Sequence, residues 1–281
     1  MHIDRERALR AFDTYVSAYD AGNERIALKI EHTLRVAGLC ERIARSEGFA
    51  PGDVDLAWLC GLLHDIGRFE QVRRWGTFSD AASTSHAALG VDALFGELEG
   101  DVGAQALRAA DPGAGAGGGA GVIGWFVRDK TAAETVRTAT AVHSDYRVPA
   151  GMDGRTRAFC DVVRDADKVD ILRAACTCDR EAIFGVGGEA LRLSGISGPV
   201  REAFYGHRTV LRSERSQPAD LPVSFACFVY ELVHDEAARA AAEQGHALEL
   251  LEMEFDRPET RAEIAAMQEH LGAWLAGRLA R

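Results

Sequence analysis

The stretch GLLHDIGRFEQVRR, residues 61–74, places a histidine and an aspartate side by side directly after an apolar run. A carboxylate and an imidazole at the buried end of a helix cost free energy unless a partner offsets their lost hydration. His64 and Asp65 therefore predict a bound group. A second such pair, His234 and Asp235, begins a later predicted helix, where N-capping explains the aspartate.

Around this stretch, apolar residues recur at spacings of three and four rather than two, which predicts an all-α protein. Asn23, Asp53 and Asp256 are predicted N-caps, and Pro258 suits a first helical turn. The glycine-rich segment at 111–121 is a predicted surface loop. The predicted helices span about 23–46, 53–69, 83–95, 130–143, 156–175, 222–232, 235–255 and 258–279.

The composition narrows the class of function. The chain has 281 residues, 47% of them apolar, and a formal net charge of -11. This charge argues against a nucleic-acid partner, because phosphate backbones are held by surplus basic residues. No apolar run is long enough to span a bilayer, so we expect no membrane partner and a cytoplasmic location. The six cysteines are not spaced as a disulfide framework.

Polar residues on core-facing helix positions carry the strongest signal. Four histidines occupy such positions on four predicted helices: His32, His64, His86 and His143. A shared cation satisfies several imidazoles at once, and carboxylates complete its shell. Asp65 supplies one carboxylate, and RDADKVD, residues 164–170, offers Asp165, Asp167 and Asp170. The helical pattern does not select among these three, although Asp170 lies nearest the centre of the apolar face.

The motifs HTLRV, GLLHDIGRFEQ, SHAALG and RDADKVD, in this order, resemble the HD superfamily of metal-dependent phosphohydrolases, and in particular a bacterial branch of it. The motifs fall within residues 23–173. The resemblance implies an HD-domain helical bundle with a C-terminal helical extension. It places the metal-binding core at residues 1–175 and the extension, packed on that core, at residues 176–281.

The resemblance also implies a set of metal ligands. Asp170 would support a ligand or pair with an arginine. Mixed nitrogen and oxygen ligation suits one or two ions of Mn, Fe, Co, Ni or Zn. In a binuclear site, Asp65 would bridge two ions about 3.5 to 4 Å apart. The implied ligands are His32, His64, Asp65, His86, His143 and Asp167.

The implied reaction is hydrolysis of a phosphate ester by a metal-activated water. The substrate would be a small phosphorylated molecule, namely a nucleotide, phosphomonoester or phosphodiester. The cyclic-dinucleotide signature GYP is absent, which argues against that substrate class. The predicted catalytic residues are His64, Asp65, Arg68 and Lys168. The predicted substrate contacts are Arg68, Arg73, Arg74, Tyr146 and Arg147.

Two other functions remain open on the same ligand set. Some HD relatives hold two irons and carry out oxygen-dependent carbon oxidation, so ligand identity does not separate hydrolase from oxygenase. A non-catalytic regulatory module with a structural metal is the other alternative. A closed ligand shell with no position for water would favour that module.

Overall fold

A computed structural model of the protein describes residues 3–113, 119–178 and 183–280. Every regular element in these ranges is a helix, which confirms the predicted all-α fold. The chain divides into two compact units, residues 1–166 and 167–281, and the division falls inside one long helix. The predicted boundary at residue 175 lies in the same helix and stays a prediction. Of the predicted loop at 111–121, residues 114–118 lie outside the described ranges.

The first unit is built around one core. Helix α2 packs along α3, helices α3 and α5 pack on α8, and α4 packs on both α2 and α5. Helix α9 continues across the boundary into the second unit. The helices are α1 (Arg5–Val16), α2 (Glu24–Ser46), α3 (Pro51–Leu63), α4 (Gly67–Trp75), α5 (His86–Phe95), α6 (Val102–Ala110), α7 (Ile123–Phe126), α8 (Lys130–Val142) and α9 (Gly154–Thr177).

Helix α3 lies at the centre of this unit, since every residue in 56–63 is buried. A helix that is apolar all round must be enclosed by other elements. Gly61 allows α2 to approach closely, because a Cβ at this position would lie 2.8 Å from Cys40 Sγ and 2.9 Å from Ala37 Cα. The small residues before His64 therefore serve helix packing.

The predicted limits of α3 are wrong at both ends. The helix begins at Pro51 after Ala50, so Asp53 lies inside the first turn instead of capping it. Proline is favoured in that first turn because its missing N–H has no intrahelical partner there. The helix ends at Leu63, well before residue 69, and the chain turns through 64–66 before α4 begins. His64 and Asp65 thus lie between two helices.

Other predicted helix starts are confirmed. The Asn23 side chain accepts a hydrogen bond from the Arg25 N–H at the start of α2. The Ser85 hydroxyl does the same for the Ala88 N–H at the start of α5. Such caps satisfy N–H groups that have no intrahelical acceptor. Among the described residues, we find no helix that combines the length and the apolar character needed to cross a bilayer.

In the second unit, α15 packs on α13 and α14, and α12 packs on α11 and α14. The predicted helix at 235–255 is wrong as a single element, because Gly245 has φ +74° and ends α13. The predicted helix at 222–232 is an α-helix only as far as Ala226, and a 3-10 helix follows it over Cys227–Glu231. Pro258 opens α15, but Asp256 does not cap it. The helices are α10 (Gly188–Arg192), α11 (Gly198–Tyr205), α12 (Asp220–Ala226), α13 (Asp235–Gln244), α14 (His246–Glu249) and α15 (Pro258–Leu279).

Candidate metal centre

The Asp65 carboxylate lies at the centre of four imidazoles. The Nε2 atoms of His32 and His64 are 3.6 and 3.7 Å from Asp65 Oδ2. The Nε2 atoms of His86 and His143 are 3.6 and 3.4 Å from Asp65 Oδ1. All five side chains are buried. Each carboxylate oxygen therefore faces its own pair of histidine nitrogens.

Helix ends position two of these histidines in the same way. His64 directly follows α3 and His143 directly follows α8. The Nδ1 of His64 lies 2.7 Å from Gly61 O, and that of His143 lies 2.8 Å from Thr140 O. A carbonyl only accepts, so Nδ1 carries the hydrogen in both rings. In the neutral rings, each Nε2 then presents a lone pair, as a metal ligand requires.

His86 reaches the centre from the first turn of α5. Its Nδ1 lies 2.9 and 2.8 Å from the two carboxylate oxygens of Asp80, so this nitrogen donates. Its Nε2 lies 3.0 Å from His143 Nε2. Burial lowers the pKa of His86 to about 4, although the hydrogen bond to Asp80 and the charge of Asp65 oppose this shift. The ring is therefore neutral at neutral pH.

The approach of His86 Nε2 to His143 Nε2 is the observation that tests whether a metal fits. Both nitrogens are bare when both Nδ1 atoms carry hydrogens, and two lone pairs at 3.0 Å repel each other. A cation bound by both nitrogens removes this repulsion. Neutral imidazoles and an ionised carboxylate are also the donor set that first-row transition metals prefer. The side chains present fit such an ion.

Asp80 anchors a polar network behind His86. Gln71 is fully buried, and its Nε2 donates to Asp80 Oδ1 at 2.8 Å. Arg68 Nη1 donates to the same oxygen at 3.2 Å. Burial alone would raise the pKa of the Asp80 carboxyl, but its contacts with His86, Gln71 and Arg68 hold that pKa below its usual range. Sequence reasoning missed Asp80 and Gln71, and a carboxylate six residues before His86 was the available signal.

Two cations lie beside Asp65. Lys29 Nζ is 2.6 Å from Asp65 Oδ2, and Arg68 Nε is 3.5 Å from Asp65 Oδ1. Burial would raise the pKa of Asp65, but the charge of Lys29, the surrounding histidines and Arg68 hold it well below its usual range. The Phe78 ring lies over both cations, with its centroid 5.4 Å from Lys29 Nζ and 5.7 Å from Arg68 Cζ. Lys29 was missed in the sequence, although it lies one helical turn before His32.

Helix α9 carries the three candidate aspartates. Asp167 is buried and is the first residue of the second unit, so its predicted role as a ligand with His32 and His64 stays a prediction. Asp165 and Asp170 are buried as well. Asp170 forms a two-point ion pair with Arg173, at 2.8 and 3.0 Å.

Arg164, also on α9, holds the chain segment that carries His143. Its guanidinium is buried, and Nη1 donates to Val142 O at 3.2 Å and to His143 O at 3.1 Å. The same nitrogen also donates to the carbonyl of Asp145. One cation thus satisfies several carbonyls that the end of α8 leaves without intrahelical partners. Arg164 was another residue that sequence reasoning missed.

The predicted substrate cations Arg73 and Arg74 bind elsewhere. Both contact Glu70, which is fully buried, with Arg73 Nη2 and Arg74 Nε at 2.7 and 2.6 Å from Glu70 Oε2. They also donate to the backbone carbonyls of Gly100 and Glu99. These contacts give both guanidiniums a structural task, and their predicted contact with substrate stays untested.

Three further residues with predicted roles toward substrate, Tyr146, Arg147 and Lys168, differ in their exposure and contacts. Tyr146 is exposed, and the Arg147 guanidinium lies 4.4 Å from its ring centroid. Lys168 is buried, and its Nζ lies 3.6 Å from Glu231 Oε2. Their roles toward substrate stay predictions.

The second His-Asp pair has the surroundings of a helix start. His234 is the N-cap residue of α13, and its side chain makes no capping hydrogen bond. Asp235 is the first helical residue, so the expectation that it would be the N-cap is wrong by one position. Its side chain is 77% exposed and lies 3.2 Å from Arg278. An exposed aspartate in a first turn complements the helix dipole and requires no bound ion.

Comparison with known proteins gave a family match for part of the chain. Residues 30–115 match the family model described as HD domain. This segment is an HD domain. The match confirms the family resemblance that the motifs indicated, and it contains His32, His64, Asp65 and His86. It covers less than a third of the chain, and His143 lies beyond it. Comparisons with curated proteins and with solved structures gave no match.

Proposed function

We propose that this protein is a metal-dependent phosphohydrolase that acts on a small phosphate ester. HD domains form a superfamily of metal-dependent hydrolases, and the match of residues 30–115 supports this class of activity for the chain. The arrangement around Asp65 is the observation that supports phosphate-ester hydrolysis in particular. One carboxylate whose two oxygens each face two imidazole nitrogens is suited to bridging two ions.

The proposed centre holds divalent transition-metal ions such as Mn, Fe, Co, Ni or Zn. His32 and His64 would serve one side of Asp65, and His86 and His143 the other. Asp167 would complete the set, as the family resemblance implies. When bound, such ions supply an activated water and neutralise charge on phosphoryl oxygens.

The protein's own cations support a phosphate substrate. Lys29 and Arg68 bring two positive charges to the centre of a chain whose net charge is -11. The Arg68 Nη1 is fixed by Gln71 Oε1 at 2.6 Å and by Phe78 O at 2.7 Å, which holds the guanidinium beside Asp65. Charge-assisted hydrogen bonds from such groups to phosphoryl oxygens are strong and directional. We assign both residues to orienting the phosphoryl group.

The substrate class follows from this chemistry. Nucleotides, phosphomonoesters and phosphodiesters share the phosphoryl group that Lys29 and Arg68 would bind. Tyr146 and Arg147 follow His143 closely in sequence and supply an aromatic face and a cation for the remainder of the substrate. We therefore propose that the substrate belongs to one of these three types, and a panel of all three serves as the test.

The test is metal analysis of the purified protein, followed by phosphate release from that panel with added Mn, Co, Ni or Mg. We expect metal-dependent release, and loss of at least about 100-fold in His64→Ala and Asp65→Asn. The second His-Asp pair provides matched controls, since His234→Ala and Asp235→Asn change the same residue types away from the centre. Equal activity in His64→Ala and His234→Ala would refute the proposal.

The same assay separates the hydrolase from an oxygenase. Two irons on this ligand set would permit oxygen-dependent chemistry, so each substrate is also assayed in the absence of oxygen. We expect phosphate release to continue without oxygen. Oxygen uptake on substrate addition, together with no phosphate release when oxygen is absent, would favour the oxygenase.

A further inference from the structure

The second unit contains another group of potential metal ligands. Cys176 lies in the last turn of α9, and His246 and Glu249 are the first and last residues of α14. Gly245, with φ +74°, turns the chain from α13 into α14. Cys176 Sγ donates to the backbone carbonyl of His246 at 3.4 Å. The fold thus brings a thiol against an imidazole and a carboxylate about 70 positions away.

We propose that Cys176, His246 and Glu249 bind a zinc ion in the second unit, with a water molecule as the fourth ligand. This site is independent of the proposed hydrolase activity. One potential ligand atom from each residue lies within 4.8 Å of the other two. A tetrahedral zinc holds its ligand atoms roughly 3.3 to 3.8 Å apart, given its bond lengths of about 2.0 to 2.3 Å. Zinc binding would draw the three ligand atoms from within 4.8 Å of one another to this spacing.

The donor atoms select the ion. A thiolate, an imidazole and a carboxylate together are a typical zinc set, whereas Mg and Ca prefer oxygen ligands alone. His246 Nδ1 already lies 2.7 Å from Glu249 Oε2. This contact holds the imidazole beside the carboxylate, and it would lengthen when both groups bind zinc. Three protein ligands leave one coordination position for water.

Exposure and charge also favour a cation here. The Glu249 side chain is 47% exposed, and Cys176 and His246 are half-buried, so an ion from solvent can reach all three. Cys176 lies at the C-terminal end of a 24-residue helix, where the helix dipole attracts positive charge. The same dipole disfavours an isolated thiolate, so zinc binding would release the thiol proton to solvent.

Arg173 is the basic residue of α9 that lies nearest to Cys176 in sequence, and its side chain forms other contacts. Arg173 lies one turn before Thr177, and its guanidinium forms the two-point ion pair with Asp170. Bound zinc would connect the end of α9 to α14. Because binding requires the folded arrangement, zinc would stabilise the second unit against unfolding.

Cobalt spectroscopy of the full chain tests this site separately from the HD domain. Thiolate ligation of cobalt gives a near-ultraviolet charge-transfer band, and the ligands proposed around Asp65 include no sulfur. We expect this band in the fully cobalt-loaded protein, in which the centre around Asp65 is also occupied, and we expect zinc to remove it. Cys176→Ser should abolish the band, and His246→Ala should weaken cobalt binding at least about 10-fold.

Cys178→Ser is the matched control, because it removes a neighbouring thiol and should leave the band intact. Zinc should also slow alkylation of Cys176 in the wild-type protein, measured by peptide mass spectrometry, so the test does not depend on how any variant folds. Absence of the band in the wild type, or its persistence in Cys176→Ser, would overturn the proposal. Alkylation of Cys176 at the same rate with and without zinc would do so too.

Discussion

At the residue scale, the centre depends on which nitrogen of each imidazole carries the hydrogen. His64 and His143 donate from Nδ1 to backbone carbonyls, and His86 donates from Nδ1 to Asp80. Three rings therefore present a bare Nε2 toward Asp65. Partners that fix ring orientation in this way also raise the basicity of the ligand nitrogen.

Asp80→Asn tests this orientation. An amide oxygen can accept from His86 Nδ1, but the negative charge that favours this tautomer is lost. We expect metal affinity to fall by about 10- to 100-fold, the usual cost of losing such a partner. A competition titration against a chromophoric chelator measures it. Asp92→Asn, at an exposed position on α5, is the control, and an Asp80→Asn affinity equal to that of this control would contradict the prediction.

At the element scale, close helix contacts place the ligands. Gly67, the first residue of α4, lies against the backbone of α5, where a Cβ would be 2.2 Å from His86 O and 2.4 Å from Gly90 N. Backbone atoms at these distances cannot be accommodated by a side-chain rotation. The position of His86 relative to Asp65 therefore depends on a glycine at residue 67.

Gly67→Ala should separate α4 from α5. We expect a loss of about 3 kcal/mol or more in the free energy of unfolding, together with weaker metal binding, because overpacking displaces His86. Gly38→Ala is the matched control, since a Cβ at residue 38 of α2 meets nothing within 4 Å. That change should stabilise the protein by about 0.5 to 1 kcal/mol. Chemical denaturation that ranks the two variants in the opposite order would contradict this explanation.

Glu70 joins α4 to two other segments. Its carboxylate accepts from Arg73 and Arg74, from Tyr19 Oη at 3.0 Å and from the Val102 N–H at 3.3 Å. Burial would raise the pKa of Glu70, but its hydrogen bonds to Arg73, Arg74 and Tyr19 lower it. The stabilisation from this charge is therefore complete above the unfolded pKa and is lost as the pH falls through the folded pKa.

Glu70→Gln should cost about 3 kcal/mol of unfolding free energy at pH 7, because it leaves a buried charge network without its anion. The difference from wild type should shrink as the pH falls below about 4.5. Urea denaturation across this range measures it. Glu99→Gln, an exposed neighbour, should change stability little at any pH. A loss at Glu70 that is independent of pH would show that charge is not the cause.

The sequence was sufficient for the elements with strong local signals. The Asn23 cap and the apolar period predicted the start of α2, and the predicted start of α5 lies within three residues of the observed one. The end of α3 was predicted wrongly because apolar residues continue through Ile66 and Phe69, and the turn at 64–66 depends on tertiary contacts. Lys29 and Arg164 were missed because sequence spacing does not reveal partners that lie on other elements. Asp80 was missed although its partner His86 lies only six residues further along the chain.

At the scale of the whole molecule, the chain is acidic overall, but two basic residues lie at the proposed metal centre. The chain has a net charge of -11, yet Lys29 and Arg68 adjoin the Asp65 carboxylate. The first unit alone supplies His32, His64 and Asp65 together with the other two histidines. The second unit adds the proposed zinc ligands. Two metal sites with different donor atoms would therefore belong to one chain.

The central claim is that the histidines around Asp65 hold metal ions. The most direct measurement is an anomalous difference map from crystals of the manganese-loaded protein, recorded on both sides of the manganese absorption edge. We predict two peaks flanking the Asp65 carboxylate, one bonded to Nε2 of His32 and His64 and the other to Nε2 of His86 and His143. A map with no peak within bonding distance of Asp65 would contradict the account.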